Sequence, residues 1–254
     1  MLMKRGIVMK YQQRRDIILH LLEGKEKLSF QEIETAVDAS PATLRRDLER
    51  MESNQLIQRY HGGIRSIDTV TAETPIKERH NVNLSEKRRI AQKAASLIQP
   101  NELIFIDSGS TTLSMIDFIT DNSITVITNG ILQAQKFKEK NINCFLLCGF
   151  MSMRSNAVMG KETVRLLKSF RYDKAFLGAN AIDLKLGILA PDDNECELKT
   201  AILGCTKETY VLADNSKFGK KSMFALQDAD TASLKVITDK AFPEFTCYEL
   251  MIAD

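Results

Sequence analysis

Arginines in the stretch SPATLRRDLERMESNQLIQRYHGG, residues 40–63, and four short polar clusters further along are the side chains best suited to chemistry. Arg45, Arg46 and Arg50 carry fixed charge and forked donors, which suit phosphate oxygens and the base edges of DNA. The clusters are Asp107-Ser108-Gly109-Ser110-Thr111-Thr112, Thr128-Asn129-Gly130, Gly178-Ala179-Asn180 and Asp214-Asn215-Ser216-Lys217. They offer small residues, which let the backbone approach a ligand, and hydroxyls, amides or a lysine able to surround an anion. A phosphate fits such a set. Taken one at a time, a Gly/Ser/Thr cluster is also what any strand-to-helix turn looks like, and ADNSK is also a charged turn closing a strand. Three polar loops at neighbouring strand ends make a pocket.

A helix must position the arginines. Ser40 is a good N-cap, Pro41 suits the first helical position, and Thr43 sits early enough to reach a groove. Leu44, Leu48 and Met51 recur at helical steps and form one apolar face, while Thr43, Arg45, Arg46 and Arg50 fall elsewhere on the cylinder. Upstream, Arg14 to Leu22 carries an apolar stripe and Ser29 to Val37 a second short helical pattern, with Asp38 and Ala39 as the turn before Ser40. Leu56 to Tyr60 follows as a strand and Gly62-Gly63 as a turn. This order describes a winged helix-turn-helix with its third helix as the reader of double-stranded DNA. Thr43, Arg45 and Arg46 are then direct contacts, Ser40 and Arg50 lie beside them, and Arg59 and His61 sit on the wing. Asp47 reads as structural, paired with an arginine. A small helical module with a solvated charged face is the alternative.

At 254 residues the chain has room for more than one domain. Up to Arg65 it holds 12 Lys and Arg against 9 Asp and Glu, and beyond it 23 against 24, so a basic head precedes a balanced remainder. The start MLMKRGIVMK has too short an apolar run for a signal peptide or a membrane span, which points to a cytoplasmic protein with no membrane partner. Five scattered cysteines and three dispersed histidines give no metal-ligand spacing, so neither a metal nor a cofactor is expected. Ser66 to Asn83 lacks sustained periodicity and reads as a linker. This divides the chain into a DNA-binding domain at 1–65, a linker at 66–84, and an effector-sensing and oligomerisation domain at 85–254. In the last, LIFID and apolar runs at 124–128, 144–148, 174–177, 210–212 and 234–238 alternate with helical stretches, which predicts an α/β domain with a largely parallel sheet. Ligands of such sheets bind at the carboxyl ends of the strands.

TLRRDL, an apolar position and QRYHGG, in that order, resemble the DNA-binding domain of the DeoR family of bacterial repressors. Asn54 stands where that family usually has Gly after the recognition helix, and Asn tolerates the left-handed conformation needed there. SGSTT, GAN and ADNSK resemble the active-site loops of ribose-5-phosphate isomerase and the effector domain that DeoR-type repressors carry. EKRRIAQKA, TNG, DKAFLGANAID and ELKTAI are further similar stretches, so the resemblance spans nearly the whole chain. It implies a regulator, a repressor of a sugar-metabolism operon, that senses a phosphorylated sugar and works as a homodimer or homotetramer. On the matching positions it implies Ser108 to Thr112 as phosphate loop, Asn129 and Asn180 as polar lining, and Asp214 and Lys217 as effector contacts, with Arg154, Glu197 and Lys199 as second choices. The rival is a sugar-phosphate isomerase with a DNA-binding head. That enzyme wants an acid where this chain has Asn180, and an amide cannot serve as the general base. A single Gly187 in LGILAPDDNE and Gly149-Phe150 in place of Gly-Gly are further departures.

Overall fold

The computed structural model describes residues 9, 11–22, 27–37, 39–53, 56–60, 62–65, 76–226 and 234–254. Its contacts divide the chain into two units, Met1–Val70 and Thr71–Asp254.

The first unit runs α1 (Tyr11–Leu22), β1 (Lys27–Ser29), α2 (Phe30–Ala36), α3 (Pro41–Ser53), β2 (Gln58–Tyr60) and β3 (Gly63–Arg65). A capping box starts α2: the Glu32 amide donates to Ser29 Oγ, and the Ser29 amide donates back to the Glu32 carboxylate. Ser40 starts α3 in the same way, its Oγ accepting the Thr43 amide at 3.2 Å. Ile18, Leu28, Ile33, Leu44, Met51, Ile57 and Ile64 close one core between the helices and the sheet. The three strands pair antiparallel in the order β1-β3-β2. This is the expected winged helix-turn-helix, with two strands more than periodicity revealed: β1, a three-residue segment before α2, and β3, which begins at Gly63 within the expected turn. Gly63 is demanded by that pairing, since a Cβ there would lie 2.1 Å from the Leu28 carbonyl oxygen.

The second unit opens with α4 (Ile76–His80) and α5 (Leu84–Ala95). It continues β4 (Leu103–Ile106), α6 (Ser110–Met115), β5 (Thr125–Thr128), α7 (Ile131–Glu139) and β6 (Asn143–Leu146). A hairpin of β7 (Phe150–Ser152) and β8 (Ala157–Met159) leads to α8 (Lys161–Leu167) and β9 (Tyr172–Gly178). Then come β10 (Ala181–Asp183), β11 (Gly187–Ala190), α9 (Asp193–Leu203), β12 (Thr206–Leu212), β13 (Phe224–Ala225), β14 (Leu234–Thr238) and β15 (Glu249–Ile252). Seven strands form one sheet in the order β15-β14-β12-β9-β4-β5-β6, every neighbouring pair parallel. Strand alternation divides the core: Ile104, Ile106, Val126 and Phe176 face residues of α5, α6 and α7, whereas Phe105, Ile127, Ala175 and Leu177 face α8 and α9. Helices on both faces explain why these strands read as continuous apolar runs.

The stretch 66–84 departs from its reading as a linker. Residues 66–75 lie outside the described ones, but 76–80 form α4, whose Ile76 is 2% exposed and donates its amide to the Arg154 carbonyl at 3.1 Å. Five residues are too few to display a helical period.

Candidate DNA-binding surface and effector cleft

On α3, burial of Leu44, Asp47, Leu48 and Met51 leaves Arg45, Arg46, Glu49 and Arg50 exposed. Asp47 is the polar member of the buried face. Its carboxylate accepts a fork from Arg14 of α1, Nε to Oδ2 at 2.6 Å and Nη2 to Oδ1 at 3.1 Å. That hydrogen bond raises the Arg14 pKa above its ordinary value against the opposing effect of burial. The outward arginines are steadied by neighbours: the Arg50 guanidinium lies 4.2 Å above the Tyr11 ring and that of Arg45 5.9 Å above Phe30. Arg59 on β2 gives its amide to Glu52 at 2.9 Å and its guanidinium to Glu49 at 3.3 Å, which ties the wing to α3. Thr43 and Ser40 place their hydroxyl oxygens 2.9 Å apart. His61 lies outside the described residues.

In the second unit, sheet order locates the crevice. From the centre, β4, β5 and β6 are added in one direction and β9, β12, β14 and β15 in the other, so β4 and β9 flank the point where the order reverses. Connections leaving these two strands run to opposite faces and leave a gap at their carboxyl ends. The loops there are SGST after β4 and GAN after β9. Asp107 locks them together: Oδ1 accepts the Gly109 amide at 2.9 Å and the Thr112 hydroxyl at 2.9 Å, and Oδ2 accepts the Gly178 amide at 2.7 Å. The backbones nearly touch. A Cβ added to Gly109 would stand 3.0 Å from Asp107 Oδ1 and 3.5 Å from the Gly178 Cα.

Lysines close the far side. Lys199 of α9, 2% exposed, donates to the Gly178 carbonyl at 2.6 Å and to Glu195 at 2.5 Å, with Asp107 Oδ2 at 3.8 Å. Burial opposes its charge, but Glu195 and Asp107 outweigh it and hold the pKa above the ordinary value. Lys217 sits on the turn after β12, and burial pushes its pKa down, with Asp214 opposing and Arg79 reinforcing the shift. The cleft is walled by Ser108, Gly109, Ser110 and Thr111 from one loop, by Gly178, Ala179 and Asn180 from the other, and by Asp107, Glu195, Lys199, Leu212, Lys217 and Arg79. Its cavity volume is about 30 Å³.

Two family models account for the chain: a DeoR-like helix-turn-helix domain matches residues 14–70, and the DeoR C-terminal sensor domain matches residues 82–240. The chain belongs to the DeoR family. Among its relatives, the HTH-type transcriptional regulator FruR of Bacillus subtilis, itself uncharacterised, is 34% identical over 93% of this chain and 94% of that protein. The glycerol-3-phosphate regulon repressor of Escherichia coli is 30% identical over 85% of this chain and 86% of its own length. Among solved structures, ribose 5-phosphate isomerase A of Methanocaldococcus jannaschii is similar with a TM-score of 0.41 and 18% identity, over 55% of this chain and 56% of that one.

Within this DeoR-family regulator, several residues singled out in the sequence lie away from the cleft. Thr128 is fully buried, its hydroxyl donating to the Ile106 carbonyl at 2.6 Å and accepting the Gly130 amide at 3.0 Å; it ties β5 to β4 behind the loop. Thr112 is equally buried and spends its hydroxyl on Asp107 and Gly109. Asn129 turns its amide toward the Val158 carbonyl at 3.4 Å. Asp214, 1% exposed, accepts the Ser216 amide and hydroxyl and the Asn83 side chain, so it shapes the turn that presents Lys217. Arg154 is exposed beside Phe150 and Met153, in a hollow of its own. Glu197 is exposed on the other side of α9, with Lys168 and Arg171. Its place in the cleft belongs to Glu195, whose spacing of four from Lys199 was the available signal for an ion pair on one helix face. Arg79 and Lys87 were also missed. Lys87 is 4% exposed, donates to the Arg79 carbonyl, and has its pKa pushed down to about 8, chiefly by burial. Among the described residues no group of three His, Cys, Asp or Glu could hold a metal ion, and no helix is long and apolar enough to cross a membrane.

Proposed function

We propose that the chain represses a sugar-metabolism operon, that α3 enters the major groove of its operator, and that a phosphorylated sugar in the cleft between β4 and β9 releases it. The observation that carries this is the convergence of the SGST loop, Lys199 and Lys217 at the reversal point of a parallel sheet. The amides and hydroxyls of Ser108, Ser110 and Thr111 offer donors to phosphate oxygens, and the Lys217 ammonium supplies charge. Asn180 and Glu195 are placed to meet sugar hydroxyls. An amide at Asn180, donating to the Ser222 hydroxyl at 3.3 Å, supports sensing over turnover because it accepts no proton. Relatives named as repressors of a glycerol-3-phosphate regulon support the same ligand class. The protein acts in the cytoplasm, and a homodimer or homotetramer presents paired α3 helices to repeated half-sites.

The test is thermal shift of the full chain with glycerol, pentose and hexose phosphates and their unphosphorylated parents, followed by release of an operator fragment selected from random duplex. A phosphate-dependent shift accompanied by release supports the reading, and coupling of about 1–3 kcal/mol is enough. No shift with any compound rejects it. Lys217→Ala is expected to lower affinity for the active compound about tenfold, the loss of one charge-assisted contact, with the ligand-free melting temperature little changed. A variant that does not fold would refute this placement of Lys217. Arg45→Ala is expected to weaken operator binding by about 10- to 100-fold, the range of one good base contact, with no change in the unfolding transition. Unaltered affinity by fluorescence anisotropy would remove Arg45 from the interface.

A further inference from the structure

Arg79 is the cleft residue that no sequence pattern indicated, and it comes from an unusual place. It lies on α4, the first described element after residues 66–75, which join the DNA-binding unit to the sensor along the chain. Its carbonyl is held by the Lys87 ammonium while its side chain lines the same cavity as Ser108–Thr111 and Lys217. We propose that Arg79 is a contact for the effector's phosphate, so that the bound effector draws on the same helix that continues into the connection to the DNA-binding unit. This rests on the sugar-phosphate reading above.

Three observations converge on it. First, Arg79 is one of several cations gathered at the cleft: it adds to the effects that lower the pKa of both Lys87 and Lys217, and it acts in the same direction on Lys199. An additional anion in this cleft relieves that repulsion, and a guanidinium fork matches two phosphate oxygens at once. Second, a cavity of about 30 Å³ has room for about two waters, so a sugar phosphate enters only if a wall moves. Third, the walls differ in how they are held. Asp107 staples the SGST and GAN loops to each other, and Asp214 caps the turn bearing Lys217. By contrast, α4 is five residues long, anchored at one end by buried Ile76 and at the other by the bond from Lys87.

The experiment uses the full chain. Calorimetric titration with glycerol 3-phosphate, ribose 5-phosphate and fructose 6-phosphate selects the tightest compound for the parent protein. Arg79→Ala and Arg79→Lys are then titrated with it, and operator release is followed by anisotropy at saturating compound. The alanine variant is expected to bind at least about tenfold more weakly and to stay on DNA at saturation. The lysine variant, which keeps charge but not the fork, is expected to fall between; if the alanine variant does not fold, the lysine variant decides alone. Binding as tight as the parent's overturns the contact. Weakened binding with full release at saturation overturns the link through α4. If the parent binds none of the three, the sugar-phosphate reading falls and this inference falls with it, whereas parent binding with unaffected variants removes Arg79 alone.

Discussion

Asp107→Ala is expected to lower the stability of the second unit by about 3–5 kcal/mol, the cost of removing one partner from a buried charged network. One carboxylate accepts the Gly109 amide, the Thr112 hydroxyl and the Gly178 amide, and it lies 3.8 Å from an almost wholly buried Lys199. Without it, the Gly109 and Gly178 amides lose their acceptor, the Thr112 hydroxyl keeps only backbone carbonyls, and Lys199 keeps only Glu195 as counter-charge. A urea titration of the full chain measures the effect, and Asp107→Asn, which retains one acceptor oxygen, should fall between. A loss below about 1 kcal/mol would mean that the two loops are held by something other than this residue.

Asp47→Ala is the matching experiment in the first unit, with an expected loss of about 3–5 kcal/mol. The Arg14–Asp47 fork is buried on both sides, 9% of each side chain being exposed. Losing Asp47 strands the Arg14 charge between α1 and α3, and the unit should unfold by circular dichroism and release DNA for that reason. Arg45→Ala, in contrast, should lose DNA and keep the fold. A second substitution separates the pair's charge from its shape: Arg14→Met with Asp47→Leu removes both charges together and should recover most of the stability. Failure of the double variant to improve on Asp47→Ala would locate the cost in packing.

The parts of this molecule legible in the sequence are those whose pattern repeats. The Ser40 cap and the four-and-three spacing of Leu44, Leu48 and Met51 mark α3 because burial of one face enforces that period. Apolar runs mark six of the seven parallel strands, since helices cover both faces of the sheet. The exception is β15 at the sheet edge, whose run Leu250-Met251-Ile252-Ala253 is as apolar as the others and stands outside the expected strands. The SGST and GAN loops were legible as polar clusters, but not which of their side chains line the cleft: Ser110, Thr111 and Thr112 look alike in sequence and are all buried, yet only the first two line it. Glu197 in place of Glu195 is an error of helix phase, two positions that turn a side chain to the far side of α9. Arg79 left no trace, because a single short turn has no period to display.

The staple between Asp107 and Gly178 joins residues 71 positions apart. Two strands of the same sheet, a hairpin and the helices α6, α7 and α8 intervene, so β4 and β9 meet only after the chain has closed a long loop, and such pairings form slowly. The crevice is thus absent from every partly folded form in which the halves of the sheet have yet to meet. A newly made chain is blind to its effector until the centre of the sheet has zipped, and whatever then binds there protects the finished molecule in proportion to the logarithm of its concentration. If the proposed effector binds there, its concentration is expected to raise the unfolding transition of the second unit as well as to shift operator occupancy.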